Sequence, residues 1–290
     1  MISRLALGTV QFGLPYGVAN RGGRVQLAEA AAILSDARAG GLDTLDTAVA
    51  YGESEACLGT IGVAGWRVIS KLPTLPEDCL DVAAWVAGHI AASCSRLGVD
   101  HLYGILLHHP LQLLGPHGAA LALGLRAART HGLVGRIGVS IYAPRDLEAI
   151  YPLLLPELVQ APLSLVDRRL VDSGWLKRLG DDGVEVHTRS SFLQGLLLMP
   201  RTPPQFAPWE SIWKRWKAWL AANPGEALSA CLTYPLSFHQ VHRVTVGVES
   251  VDQLVALRKA EKRLLSVNEL PDLSSTDEKL INPANWIRNG

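Results

Sequence analysis

The amino-acid sequence predicts an α/β fold, a closed (β/α)8 barrel of the TIM type. Two observations carry this. Short apolar or β-branched runs alternate eight times with longer amphipathic stretches, and no second domain interrupts them. The rival, a doubly wound sheet, lacks its dinucleotide fingerprint: the first run leads into Gly8-Thr9-Val10-Gln11-Phe12-Gly13, not G-x-G-x-x-G, and no phosphate loop of the G-x-x-x-x-G-K-[ST] kind follows.

Taken in order, the strands are expected at 4–7, 44–47, 67–71, 102–107, 136–140, 158–160, 184–188 and 243–246. Each is a short run dense in Val, Ile and Leu, suited to a parallel strand buried on both faces. Between them, apolar residues recur at helical spacing over 27–39, 80–97, 118–131, 168–179 and 251–263. Extra helices are expected at about 206–243. There Trp209, Trp213 and Trp216 fall on one helical face and Lys214, Arg215 and Lys217 elsewhere. The plain expectation is a face packed on the barrel; an oligomer contact or a lid is the alternative. A polar tail follows at about 264–290, and residues 1–290 read as one domain.

The chain has 290 residues, 48% hydrophobic and 19% charged, with a formal net charge of zero. That is ample apolar material for a large core and excludes disorder over most of the length. Neutrality gives no sign of a basic nucleic-acid face or attraction to anionic lipid, though local basic clusters can still bind a phosphorylated small molecule. Four scattered cysteines form no C-x-x-C pair, and no apolar run reads as a signal peptide or a membrane span. A cytoplasmic protein with reduced thiols and no nucleic-acid or membrane partner is expected; its oligomeric state is left open.

In such barrels functional groups gather at the carboxyl ends of the strands. Here those ends carry Asp46, Lys71, His108, Ser140, Gln160 and Arg189, with Tyr51 on the loop after Asp46. Asp, Tyr, Lys and His together suit carbonyl reduction. A tyrosine titrates near 10, so a neighbouring ammonium is expected to lower it, and a carboxylate to keep that ammonium charged. Singly, each has an ordinary structural reading: a cap, turn packing, a solvated strand end. His108 and His109 suggest a metal, but strand neighbours point to opposite faces and no zinc-ligand spacing accompanies them, so no metal is expected.

In order along the chain, these segments resemble the aldo-keto reductase superfamily. The matching pieces are Leu7-Gly8-Thr9, Asp46-Thr47-Ala48 with Tyr51-Gly52, Ser70-Lys71, Leu107-His108-x-Pro110, Gly138-Val139-Ser140, Gln160-x-Pro162-Leu163-Ser164, Ser190-x-Phe192-Leu193-Gln194-Gly195, Val246-Gly247-Val248-x-Ser250 and Ile281-Asn282-Pro283-x-x-Trp286. The resemblance implies a catalytic tetrad of Asp46, Tyr51, Lys71 and His108, with Tyr51 as proton donor. It implies NADPH as cofactor, with NADH as the alternative, and a small-molecule carbonyl as substrate.

Cofactor contacts are implied for Gly8, Thr9, Ser140, Gln160, Arg189, Ser190, Phe192, Gln194, Gly195, Gly247, Ser250 and Gln253. Arg189 stands where a tyrosine usually stacks on the nicotinamide. Glu249 and Asp252 would repel a 2′-phosphate unless Arg258 or Lys259 reaches it, and Ala256-Leu257 replace a Glu-Asn pair. Gln11, Tyr16, Asn20, His109 and Tyr142 are the polar candidates for substrate binding. The Gly8-Thr9-Val10-Gln11-Phe12-Gly13 subtype resembles bacterial members tied to sugar metabolism, implying at most a sugar-like carbonyl. Two alternatives remain: a redox-neutral epimerase or dehydratase that retains NAD(P), marked by turnover without added cofactor, and a non-catalytic NADP-binding regulatory subunit.

Overall fold

A computed structural model describes residues 3–286; residues 1, 2 and 287–290, the last four of the expected tail, lie outside the described residues. Eight parallel strands close into a barrel in sequence order. They are β1 (Leu5–Gly8), β2 (Thr44–Asp46), β3 (Arg67–Leu72), β4 (Gly104–Leu107), β5 (Ile137–Ser140), β6 (Leu158–Pro162), β7 (Glu185–Arg189) and β8 (Val241–Gly247). All eight fall within the expected runs or overlap them closely.

Because side chains alternate along each strand, the register decides which residues share the barrel interior. Gly8 lies beside Asp46 on one side and Gly247 on the other, and Ser140 lies beside Gln160. A small cluster of Ile69, Leu106 and Leu158 fills the interior below them, closed by Tyr103. Glycine at 138 is required there: a Cβ would lie 1.8 Å from the Leu158 carbonyl oxygen. The much larger apolar cluster lies between barrel and helices. The amino-terminal end of the barrel is closed by charge. Glu185 accepts from Tyr103 Oη at 2.7 Å and pairs with Arg136 at 2.8 Å, while Arg243 pairs with Asp43 at 2.9 Å. Burial alone would raise the Glu185 carboxyl; hydrogen bonds from His187 and Tyr103, aided by Arg136, overcome it and hold it at about 2.

The helices Leu27–Ala39, Val82–Leu97, Gly118–Thr130 and Val251–Glu261 match the periodicity closely. The stretch expected as one helix over 168–179 is two, Arg169–Asp172 and Trp175–Asp181, parted at Gly174, whose φ of 79° no helix interior accommodates. Two further helices, Ser54–Ile61 and Pro144–Ile150, were not legible as amphipathic runs.

The Trp-rich segment forms Glu210–Ala222, followed by Ala227–Leu236. Trp213 and Trp216 are buried, but their face packs on the chain leaving β7: their indole N–H groups donate to the Phe206 and Leu197 carbonyls. Trp209 and Trp219 donate instead to Asp277 and to the Glu269 carbonyl, so this helix also staples the carboxyl-terminal tail. The buried indole nitrogens thus find acceptors on the chain after β7, and the half-buried ones on the tail. No helix among the described residues is long and apolar enough to cross a membrane.

Candidate active site

β2 ends in Asp46, and a tight turn then brings Tyr51 back over the barrel mouth, its N–H donating to the Ala48 carbonyl at 3.0 Å. Two glycines permit this. A Cβ on Gly13 would lie 1.7 Å from the Tyr51 carbonyl oxygen, and Gly52, with φ of 56°, packs against the Gly13 carbonyl. Backbone rests directly on backbone, which fixes the position of the phenol. Thr9 secures the same corner, its hydroxyl donating to the Asp46 carbonyl at 3.0 Å and lying 2.9 Å from Ser54 Oγ.

β3 delivers Lys71, wholly buried, from the barrel interior. Its Nζ donates to Asp46 Oδ1 at 2.7 Å, to the Thr47 carbonyl at 3.0 Å and to Tyr51 Oη at 3.3 Å. All three ammonium donors are thereby used. Asp46 Oδ1 also accepts from Gln160 Nε2 at 2.7 Å, and Gln160 Oε1 accepts from Ser140 Oγ at 3.1 Å. The chain Ser140–Gln160–Asp46–Lys71–Tyr51 is continuous across the barrel. His108, just beyond β4, sets its ring edge-on to Tyr51 with centroids 5.9 Å apart.

The electrostatics differ from expectation at Tyr51. Burial raises its pKa and outweighs Lys71, which alone would lower it. The phenol therefore stays protonated in the unliganded site, contrary to the lowering anticipated from an ammonium neighbour. At Lys71 burial would favour the neutral amine, but Asp46 and Tyr51 prevail and the pKa is raised. His108 is pushed down to about 3, by burial first, then by Lys71, His109 and Arg189, and is neutral at physiological pH.

Above this floor lies a cavity of about 1210 Å³. Gly8, Thr9, Gln11, Tyr16, Asn20, Asp46, Tyr51, His108, Ser140, Tyr142, Gln160, Arg189, Ser190, Phe192, Gln194, Gly195, Gly247 and Gln253 all line it. Lys71 does not; it reaches the cavity through Tyr51 and Asp46, which do. Two expected residues are not brought there. His109 is exposed and off the cavity wall; both histidines lie past the end of β4, where strand alternation no longer applies, and their ring centroids are 5.3 Å apart. Ser250 is also absent from the wall: its hydroxyl accepts from the Gln253 N–H at 3.3 Å and caps the helix Val251–Glu261.

The loop after β7 is the most strained part of the described backbone. Ser190, Leu193 and Gln194, the non-glycine residues with positive φ there, precede Gly195, also at positive φ. Gln194 Nε2 donates to Tyr16 Oη at 3.0 Å, tying this loop to the one after β1 across the cavity. Arg189 lies over the Tyr142 ring at 4.6 Å and donates to the Ile141 carbonyl at 2.9 Å.

Sequence reading missed several wall residues: Arg21, Met199 and Pro200, Ala227 and Leu228 of the added helices, and Pro283 and Ala284 of the tail. The Asn282-Pro283-x-x-Trp286 piece of the resemblance was the only signal for the last two. The residues suit a nicotinamide dinucleotide. Gln11 Oε1, His108 Nδ1 and Ser191 Oγ are buried without a partner in or beside the cavity, and glycine at 247 leaves room for the Gln11 side chain, which a Cβ would meet at 2.5 Å. Among the described residues no three His, Cys, Asp or Glu side chains converge as metal ligands.

The model of the Aldo/keto reductase family matches residues 4–278, and the chain belongs to that family, whose members carry out NAD(P)H-dependent carbonyl reduction. Solved structures share the fold at low identity. The holo form of aldo-keto reductase AKR11C1 from Bacillus halodurans is 19% identical with a TM-score of 0.72, covering 99% of this chain and 95% of that one. PA4992 from Pseudomonas aeruginosa is 20% identical with a TM-score of 0.63, covering 89% and 91%. No curated protein matches at a significant level.

Proposed function

We propose that this chain is a cytoplasmic reductase that converts an aldehyde or ketone, sugar-derived carbonyls included, to the alcohol, using NADPH or NADH, with Tyr51 as proton donor. The observation that carries the reading is the buried Lys71 Nζ, 2.7 Å from Asp46 and 3.3 Å from Tyr51 Oη, at the floor of a cavity of dinucleotide size. When bound, the nicotinamide supplies a hydride to the carbonyl carbon. Tyr51 Oη would give its proton to the carbonyl oxygen, and Lys71 Nζ, which donates to Tyr51 Oη, would stabilise the phenolate left behind. Asp46 keeps Lys71 charged. Because burial holds Tyr51 protonated, the acid stays loaded until a substrate takes the proton. Neutral His108 orients the carbonyl oxygen.

Ser140 and Gln160 would hold the carboxamide, with Arg189 stacking nearby. The segment Ser190, Phe192, Gln194 and Gly195 would enclose the pyrophosphate, Gly8, Thr9 and Gly247 would form the floor, and Gln253 would serve the far end. Gln11, Tyr16 and Tyr142 would face the substrate. Residues 1–290 are read as one reductase unit whose added helices and tail wall the substrate side, Pro283 and Ala284 being the contact in support. Four free thiols suit a reducing compartment.

The test is oxidation of NADH or NADPH, followed at the nicotinamide absorbance band, against a panel of aldehydes, ketones and sugars. Net loss of reduced cofactor with at least one carbonyl is expected. Turnover of a sugar with no net loss would replace this reading with redox-neutral chemistry.

A further inference from the structure

The cavity reaches from Tyr51 and His108 to the first turns of the helix Val251–Glu261, where Gln253, Ala256 and Leu257 line it. If the hydride end of a dinucleotide sits by Tyr51, its adenosine end lies by this helix, whose free N–H groups would ordinarily attract a phosphate. Here they are already committed. Glu29, from the neighbouring helix Leu27–Ala39, accepts from the Val251 N–H at 2.9 Å, and Ser250 Oγ accepts from the Gln253 N–H. Glu249 lines the same end of the cavity, its own N–H donating to Gln253 Oε1 at 2.8 Å, and it shares an adjoining recess with Glu29.

Of the cations that might answer a phosphate, two are turned elsewhere and two are solvent-exposed, Arg24 in the recess beside Glu29 and Glu249, and Arg21 on the cavity wall. Arg258 NH1 is bound to Asp36 at 2.7 Å, and its guanidinium lies against Gly40. Lys259 is exposed and off the cavity wall. For both exposed arginines a charge pair with a ligand is worth little, whereas Glu29 and Glu249 are half-buried. Carboxylates are therefore what the far end of the site presents.

We propose that Glu249 on the cavity wall, backed by Glu29 in the recess beside it, makes this site selective for NADH, Glu249 accepting a hydrogen bond from an unphosphorylated adenosine ribose and both carboxylates repelling the 2′-phosphate of NADPH. The assignment rests on the reductase reading above and goes further, choosing between the two cofactors that reading allows. The chemistry is that of an acidic side chain on a ribose hydroxyl, which a phosphate at the same position turns into repulsion. Two carboxylates facing a doubly charged phosphate, even largely solvated, give a discrimination of about tenfold.

The experiment is titration of tryptophan fluorescence with NADH and with NADPH, for the wild type, Glu249→Gln, and the double variant Glu29→Gln/Glu249→Gln. Glutamine at 29 keeps an acceptor for the Val251 N–H, and thermal melts check that each variant is folded. The wild type should bind NADH about tenfold more tightly. Glu249→Gln should narrow the ratio, and the double variant should bring it within about threefold, chiefly by tightening NADPH. Wild type binding NADPH as tightly as NADH, or a ratio unchanged in the folded variants, would overturn the selectivity while leaving the reductase reading intact. If neither nucleotide binds, both readings fall together.

Discussion

Tyr51→Phe is expected to bind a reduced nicotinamide dinucleotide as the wild type does while losing about 10²–10⁴-fold in kcat/KM. The substitution removes only the hydroxyl that Lys71 Nζ approaches at 3.3 Å; the backbone contact between Gly13 and the Tyr51 turn does not depend on it. The wild-type pH profile should agree. Reduction needs His108 neutral and Tyr51 protonated. His108 loses its charge above about 3, and Tyr51 is raised above its ordinary value near 10, so the free enzyme holds both states across the range between. The profile of kcat/KM should be flat through neutrality and fall on the alkaline side, where the phenol at last ionises. Fluorescence titration and steady-state kinetics check both parts. Unchanged turnover in Tyr51→Phe would remove this residue from the chemistry.

Lys71→Met should cost the fold about 3–5 kcal/mol, and Lys71→Met/Asp46→Asn should recover most of that loss. Lys71 is fully buried and the Asp46 side chain is 5% exposed, so removing the ammonium alone strands a carboxylate away from water. Gln160 still donates to Asp46 Oδ1, but a neutral amide does not replace a charge. Removing both charges leaves a neutral amide beside a thioether of similar volume, which the interior tolerates. Urea denaturation of the three proteins measures this, and neither variant should reduce a carbonyl efficiently. A single variant as stable as the double would mean that Asp46 does not depend on Lys71.

Much of this arrangement was legible in the sequence because it is set by strand ends. Alternating apolar runs fixed where Asp46, Lys71, Ser140 and Gln160 emerge, but the period of two expected to part His108 from His109 stops at Leu107, and their ring centroids lie 5.3 Å apart. What escaped was set by tertiary packing. The raised pKa of Tyr51 follows from burial, which the neighbouring ammonium does not offset and which no local pattern reports. Ser250, implied as a cofactor contact, lies off the cavity wall and accepts from the Gln253 N–H as a helix cap. Glu29 lies more than two hundred positions from the Val251 amide it meets, with no motif to link them. The Trp-rich face was expected to pack on the barrel, and Trp213 and Trp216 join the core cluster that surrounds it; that the indole nitrogens find acceptors on the chain after β7 and on the tail is a choice periodicity does not specify.

The most direct measurement traces the hydride itself, using a dinucleotide carrying deuterium at the transferable position of the nicotinamide ring and a carbonyl that the wild type turns over. Mass spectrometry of the alcohol should find that deuterium on the carbinol carbon in every product molecule, with formation of the labelled alcohol greatly slowed in Tyr51→Phe. An alcohol formed at the normal rate without the label would contradict the account.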